Sequence, residues 1–318
     1  MTGFAPLGFA CPNCQTTLEQ TAPDTMCCPQ DRLLFHRTTH IWRMLQPERE
    51  AIFSQFTREY ELVRRAEGRG SQLAEYYRSL PYHDLSGRMV GDWRIRAASF
   101  DTFLKRIVIP MEEYADSPRR ILDLGAGNGW LANQLAGRGH IVAAVDLITN
   151  DFDGLGCYRY YESTFTPVQA EFDCLPFTDQ SIDLVIFNAS LHYSTQYERT
   201  LSESLRVLDP NGKIVVLDSP FYHDATSGVK MVQEREGQFV KRFGFPSNAL
   251  HSENYLTYPR LANLAASLHL SYQVLTPFYG VQWALRPLKA RLIGRREPAK
   301  FHLVVFSTQP NNWQAQNG

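Results

Sequence analysis

The chain has 318 residues, 44% of them hydrophobic, with 32 Lys and Arg against 33 Asp and Glu, a formal net charge of -1. That length suits about two domains, and the balanced charge argues against a general polyanion binder. No apolar run approaches the ~20 residues of a membrane span, and no basic-then-apolar leader opens the chain, so a cytoplasmic location is expected.

Four of the six cysteines, Cys11, Cys14, Cys27 and Cys28, crowd the first thirty residues. Cys11-Pro12-Asn13-Cys14 forms one knuckle and Cys28-Pro29-Gln30-Asp31 a second, a spacing that supplies four ligands for tetrahedral zinc. A small ribbon over residues 1–45 is expected. The surroundings lack a thioredoxin-like β-α-β pattern, and a cytoplasmic setting disfavours disulfides. Cys157 and Cys174 stand alone and read as packing thiols.

Residues 46–85 read as a helical cap. Pro47, Glu48 and Glu50 suit a first helical turn, and Phe53, Phe56, Tyr60 and Val63 mark one apolar face until Gly68 and Gly70 break it. The stretch 76–84, with three tyrosines, Arg78 and His83, is aromatic for a connection; it is either a substrate clamp or a packing corner. A second helix carrying Met89, Trp93, Ala97, Phe100, Leu104 and Ile107 should stop at Pro110.

Next comes Ile121-Leu122-Asp123-Leu124-Gly125-Ala126-Gly127-Asn128-Gly129, an apolar strand ending in glycines at alternate positions before a helix. Glycine is needed where a strand turns sharply into a helix and a ligand approaches bare backbone. The spacing differs from the dinucleotide G-x-G-x-x-G, and no Walker Gly-Lys-Ser/Thr follows. The motif resembles that of class I S-adenosylmethionine-dependent methyltransferases, in which a second acid ends the next strand. Asp146 closes 141–145 in that place. Further landmarks follow: Asp173 and Cys174 after a third strand, the strand 182–187 running into Asn188, and Leu208-Asp209-Pro210-Asn211-Gly212-Lys213 turning into 214–217.

The resemblance covers about 86–308. It implies an α/β, Rossmann-like, seven-stranded sheet with helices on both faces, carrying S-adenosyl-L-methionine at Asp123, Gly125, Gly127, Gly129, Asp146, Leu147, Asp173, Cys174 and Asn188. Asp146 would receive ribose hydroxyls and Asp173 the adenine amino group, Asp123 would orient the loop, and the Asn188 carbonyl would face the ammonium end. The leading helices would cover the cofactor. The N-terminal segment resembles zinc ribbons that precede some methyltransferase domains; Phe35 and Ile41 keep the spacing, but Asp31 stands where that pattern has cysteine. The metal ligands are thus Cys11, Cys14, Cys28 and a fourth from Asp31, Cys27 or His36.

After the fifth strand, residues 219–254 read as an insertion that forms a lid, since open α/β sheets bind ligands at that end. A helix with Leu261, Leu264 and Leu268 follows, and Ser271–Leu275 with 301–306 should form an antiparallel edge. Between Leu285 and Lys300, six basic residues meet only Glu297, either a solvated face or a patch for phosphate, an acidic substrate or a membrane surface. The tail 309–318 should be disordered.

Methyl transfer by in-line displacement needs mainly alignment, worth ~7–11 kcal/mol. An acceptor that loses a proton also needs a base, for which His192 leads, followed by His223 and His83. Three functions compete: methylation of a small molecule, methylation of an rRNA or tRNA base, and a non-catalytic cofactor-binding docking module. Balanced charge, aromatic loop and lid favour the first, and no basic stripe with interleaved stacking aromatics supports RNA.

Overall fold

Alternate residues of the central strands enter two separate hydrophobic clusters, and this decides the architecture. Leu122, Leu124, Ala143, Val145, Val185 and Phe187 pack on one side, and Ile121, Val142, Ala144, Leu184 and Ile186 on the other. Strands buried on both faces must be covered by helices on both faces. The structure, a computed structural model, describes residues 7–114 and 117–308; the tail expected to be disordered lies outside the described residues.

In chain order the strands are β1 (Glu19–Ala22), β2 (Thr25–Cys27), β3 (Leu34–Thr38), β4 (Ile41–Arg43), β5 (Arg120–Leu124), β6 (Ile141–Asp146), β7 (Thr166–Gln169), β8 (Ile182–Asn188), β9 (Leu208–Leu217), β10 (Pro220–Tyr222), β11 (Leu256–Thr257), β12 (Ser271–Leu275), β13 (Lys300–Phe301) and β14 (Leu303–Ser307). The main sheet runs β1-β2-β3-β4-β7-β6-β5-β8-β9-β14-β12. Within it, β7-β6-β5-β8-β9-β14-β12 is the expected seven-stranded α/β sheet, in which β14 alone is reversed and pairs antiparallel with both β9 and the edge strand β12.

The ribbon does not stand apart. Its strands continue the sheet, with β4 parallel to β7 through Trp42 opposite Val168, and Phe9 stacks on Phe177 at 5.4 Å. The edge of a parallel sheet exposes unpaired N–H and C=O groups, and β4 covers that edge.

The cap helix Pro47–Ala66 starts at the expected proline, with Glu48 and Glu50 in its first turn and Arg64 and Arg65 in its last, which suits the helix dipole. The helix Val90–Phe103 departs from expectation at Pro110. It passes through a π-helical turn, Leu104–Val108, into Ile109–Glu113, with Pro110 in the first turn of that last segment. The widened turn shifts the hydrogen-bond register where proline has no N–H to give.

The insertion after β9 holds β10, which pairs with β11 and β13 in a small second sheet, and the helix Ala225–Phe243. Asp224 caps that helix through Thr226 N–H, and Gly244 ends it at φ 85°.

Candidate active site

The glycine loop between β5 and the helix Trp130–Ala136 takes left-handed dihedrals at Gly125, Gly127 and Gly129. At Gly125 a Cβ would come within 2.3 Å of Ser190 Cβ, whereas at Gly127 it would meet only the Asp153 carbonyl, 3.7 Å away. Gly127 therefore leaves room beside the loop for a ligand against bare backbone. Asp146, at the end of β6, holds the loop: its Oδ2 accepts from Gly127 N–H and its Oδ1 from Ile148 N–H, both at 2.8 Å. Burial raises its pKa to about 6.

The cleft beside the loop is lined by Gly125, Gly127, Asp146, Leu147 and Asp173, with Phe53, Phe56 and Tyr60 of the cap helix opposite. Phe56 and Tyr60 lie 6.0 and 6.1 Å from the Tyr193 ring, closing an aromatic wall. Asp173 accepts from Thr200 Oγ1 at 2.6 Å and lies 3.7 Å from Arg199. Cys174 does not join the cleft. Its side chain lines a neighbouring groove with Arg49 and Arg199. Asp123 also differs from expectation. It is fully buried, and neither carboxylate oxygen has a hydrogen-bond partner among the described residues, so it does not tie the loop. Burial first, and then the charge of Asp146, raises its pKa to about 7.

Beyond Gly127 the cleft continues into a chamber of about 490 Å³ that contains Asn188 and His192 in its wall. The His192 ring lies 4.5 Å from Tyr193, and its Nδ1 is 3.5 Å from Ser219 Oγ. Burial, with Arg235 and Arg96 nearby, lowers its pKa to about 3, so the imidazole is neutral at neutral pH. The chamber also receives Asp218, at the end of β9, whose Oδ1 accepts from Ser99 Oγ while Oδ2 is buried without a partner. Sequence reasoning missed Asp218, although it ends a strand as Asp146 does.

His223 and His83 are not in the chamber wall. His223 is exposed, with Nε2 2.8 Å from Lys300 Nζ, because the turn after β10 carries it past the chamber. His83 is exposed as well. The tyrosine-rich stretch is a packing corner: Tyr77 is fully buried, stacks on Tyr160 at 4.6 Å and donates to the Phe152 carbonyl at 2.7 Å.

In the ribbon, one ligand atom each from Cys11, Cys14, Cys28 and Asp31 lies within 4.8 Å of the others. Cys14 Sγ is 3.4 Å from Cys28 Sγ, and Cys11 Sγ is 3.4 Å from Asp31 Oδ2. The β-strand β3 takes His36 elsewhere, to Thr25 Oγ1 at 3.3 Å, and Cys27 stays outside the cluster.

A parallel sheet with a glycine loop and acids at successive strand ends defines a nucleotide-type cofactor site of the class I methyltransferase kind. Residues 122–216 match the methyltransferase domain family. The chain carries a class I S-adenosylmethionine-dependent methyltransferase domain. It is 31% identical over 149 residues to a demethylmenaquinone methyltransferase of Thermus thermophilus, covering 44% of this chain and 62% of that protein. It is 30% identical over 99 residues to a malonyl-[acyl-carrier protein] O-methyltransferase of Methylococcus capsulatus, covering 30% and 36%. The chain thus matches less than two thirds of either relative. Among solved structures it is similar to an S-adenosylmethionine-dependent methyltransferase, possible histamine N-methyltransferase, of Thermotoga maritima, with 14% identity, TM-score 0.46, and coverage of 82% and 100%. Among the described residues, no helix is long and apolar enough to cross a membrane.

Proposed function

We propose that the protein methylates a small molecule held in the chamber next to the cofactor cleft. The observation that carries this reading is the continuity of the two spaces: Tyr60, Gly125, Gly127, Ala189 and Tyr193 line both. The residues fit the cofactor. Gly127 offers backbone without a side chain, Asp146 keeps lone pairs free for ribose hydroxyls beyond its two backbone bonds, and Asp173 presents a half-buried acceptor for an amino group. When bound, S-adenosylmethionine supplies an electrophilic methyl group on a sulfonium.

The chain's own residues then bind, align and exclude water. The aromatic wall of Phe53, Phe56, Tyr60 and Tyr193 dries the cleft, and the lid helix closes the chamber through Met231 and Arg235. His192 accepts a proton at a ring nitrogen as the acceptor's new bond makes that proton acidic, a task open to a weak neutral base. Titration with S-adenosylmethionine and S-adenosylhomocysteine tests the reading, followed by labelled methyl transfer to an acceptor panel. Absence of binding by folded protein would overturn it.

At the ribbon, the clustered Cys11, Cys14, Cys28 and Asp31 would hold a structural zinc ion. Three thiolates and a carboxylate complete four-coordination, which leaves no open position for catalysis.

A further inference from the structure

Six arginines, Arg64, Arg69, Arg96, Arg235, Arg286 and Arg296, line the chamber against three aspartates. Three of the six are neutralised. Arg64 pairs with Asp153, Arg69 with Glu67 at 2.7 Å, and Arg296 with Glu234 at 2.8 Å. Arg96, Arg235 and Arg286 have no carboxylate within 4 Å among the described residues.

These three come from separate elements that share only the chamber: the helix Val90–Phe103, the lid helix Ala225–Phe243 and the helix Arg286–Leu292. Asp218 lies close enough to Arg96 for each to feel the other's charge, and the other contacts of the three are neutral. Arg96 lies over the Trp93 ring at 5.2 Å and Arg286 over the Trp283 ring at 3.8 Å. Arg235 donates one bond, from Nη2 to Asn254 Oδ1 at 2.7 Å, while its Nε is buried without a partner. One acid, Asp218, facing three guanidinium groups leaves cationic charge partly desolvated and unpaired, which is costly, and a planar fork of donors matches the oxygens of phosphate or carboxylate. Bound cofactor deepens the imbalance, since S-adenosylmethionine is itself a net cation.

We infer that the methyl acceptor is anionic and that Arg96, Arg235 and Arg286 bind its phosphate or carboxylate group inside the chamber. The inference rests on the proposed methyl transfer and deepens it. It divides the basic run near the C-terminus: Arg286 and Arg296 face the chamber, whereas Lys289, Arg291 and Arg295 are exposed. Because Arg235 sits on the lid helix and Arg96 on the helix Val90–Phe103, an anion held by both also ties the lid helix to that helix.

The test is calorimetric titration of inorganic pyrophosphate, and separately of malonate, into the free full-length protein and into protein saturated with S-adenosylhomocysteine. Saturable binding of one anion per chain is expected, tighter for whichever anion matches the acceptor group. Arg235→Gln and Arg286→Gln should each weaken it at least tenfold, with Arg→Lys partly restoring it and with unchanged affinity for S-adenosylhomocysteine. Arg286→Gln, on a short outer helix, guards against a lid variant that does not fold. If S-adenosylhomocysteine binds but neither anion does, or if the glutamine variants bind anions as well as the parent, the anionic acceptor is wrong and methyl transfer stands. If S-adenosylhomocysteine itself fails to bind folded protein, both readings fall together.

Discussion

Asp146 Oδ2 accepts the backbone N–H of Gly127 at 2.8 Å, joining the end of β6 to the middle of the glycine loop. This bond makes the cofactor cleft depend on one carboxylate. Hydrogen bonds to a charged group contribute about 1.5–3 kcal/mol, so Asp146→Ala should weaken S-adenosylhomocysteine binding roughly 10- to 150-fold, read by calorimetry. Unchanged affinity would separate Asp146 from the site.

Asp123 and Asp146 are buried acids whose pKa values are raised, to about 7 and about 6. A carboxyl raised in the folded state favours folding in its protonated form. Its contribution is therefore fully present below the ordinary value near 3.8 and is lost as pH rises through 6 and 7. Ligand-free protein should melt at higher temperature at pH 5 than at pH 8, provided other groups are compared through Asp123→Asn. That variant should flatten this dependence and be the more stable protein at pH 8; a parallel pH profile would contradict the raised values.

The two inner glycines should separate in effect. Gly125→Ala drives a methyl group against Ser190 Cβ in a left-handed conformation, while Gly127→Ala meets only an ordinary contact with the Asp153 carbonyl. Each carries roughly 1–2 kcal/mol of backbone strain. Gly125→Ala should lower the melting temperature more, and Gly127→Ala should lower cofactor affinity for the smaller loss of stability.

His192 is surrounded by Arg96 on its helix, Arg235 on the lid, Ser219 and Asp218 after β9, and Tyr193 beside it. Burial first, and then the charges of Arg235 and Arg96, hold its pKa at about 3. Its ring resonances in NMR should stay those of neutral imidazole down to pH 5, and Arg235→Gln should move the titration upward. A midpoint near 6.5 in the parent protein would refute the arrangement.

Elemental analysis should find about one zinc per chain, lost in Cys14→Ser together with a fall in melting temperature, because metal binding free energy is folding free energy. Asp31→Cys should retain the metal. Zinc retained undiminished in both Cys14→Ser and Asp31→Ala would remove the ribbon assignment.

The outcome for Asp123 shows where strand-end reasoning stops. Its position after an apolar strand was legible, but whether its carboxylate meets a loop amide depends on the path of the loop above it. The same holds for Cys174, one residue beyond Asp173 and turned into another groove.

What the sequence determined by itself was local: glycines that only left-handed backbone requires, acids at the ends of β5 and β6 and in the turn after β7, the cap-helix face, and the two cysteine knuckles. These signals lie within a few residues because dihedral preference and side-chain alternation act over that range. The tertiary structure decided the rest. It brought Asp31, and not Cys27 or His36, beside Cys11, Cys14 and Cys28, placed His192 in the chamber and His223 outside, carried the chain through Pro110 on a π-helical turn, and joined the ribbon to the sheet. It also brought Arg96, Arg235, Arg286 and Asp218 to one space from four distant segments. Such meetings follow from how helices and the lid pack on the sheet, and packing of elements far apart in the chain leaves no trace in any short stretch of it.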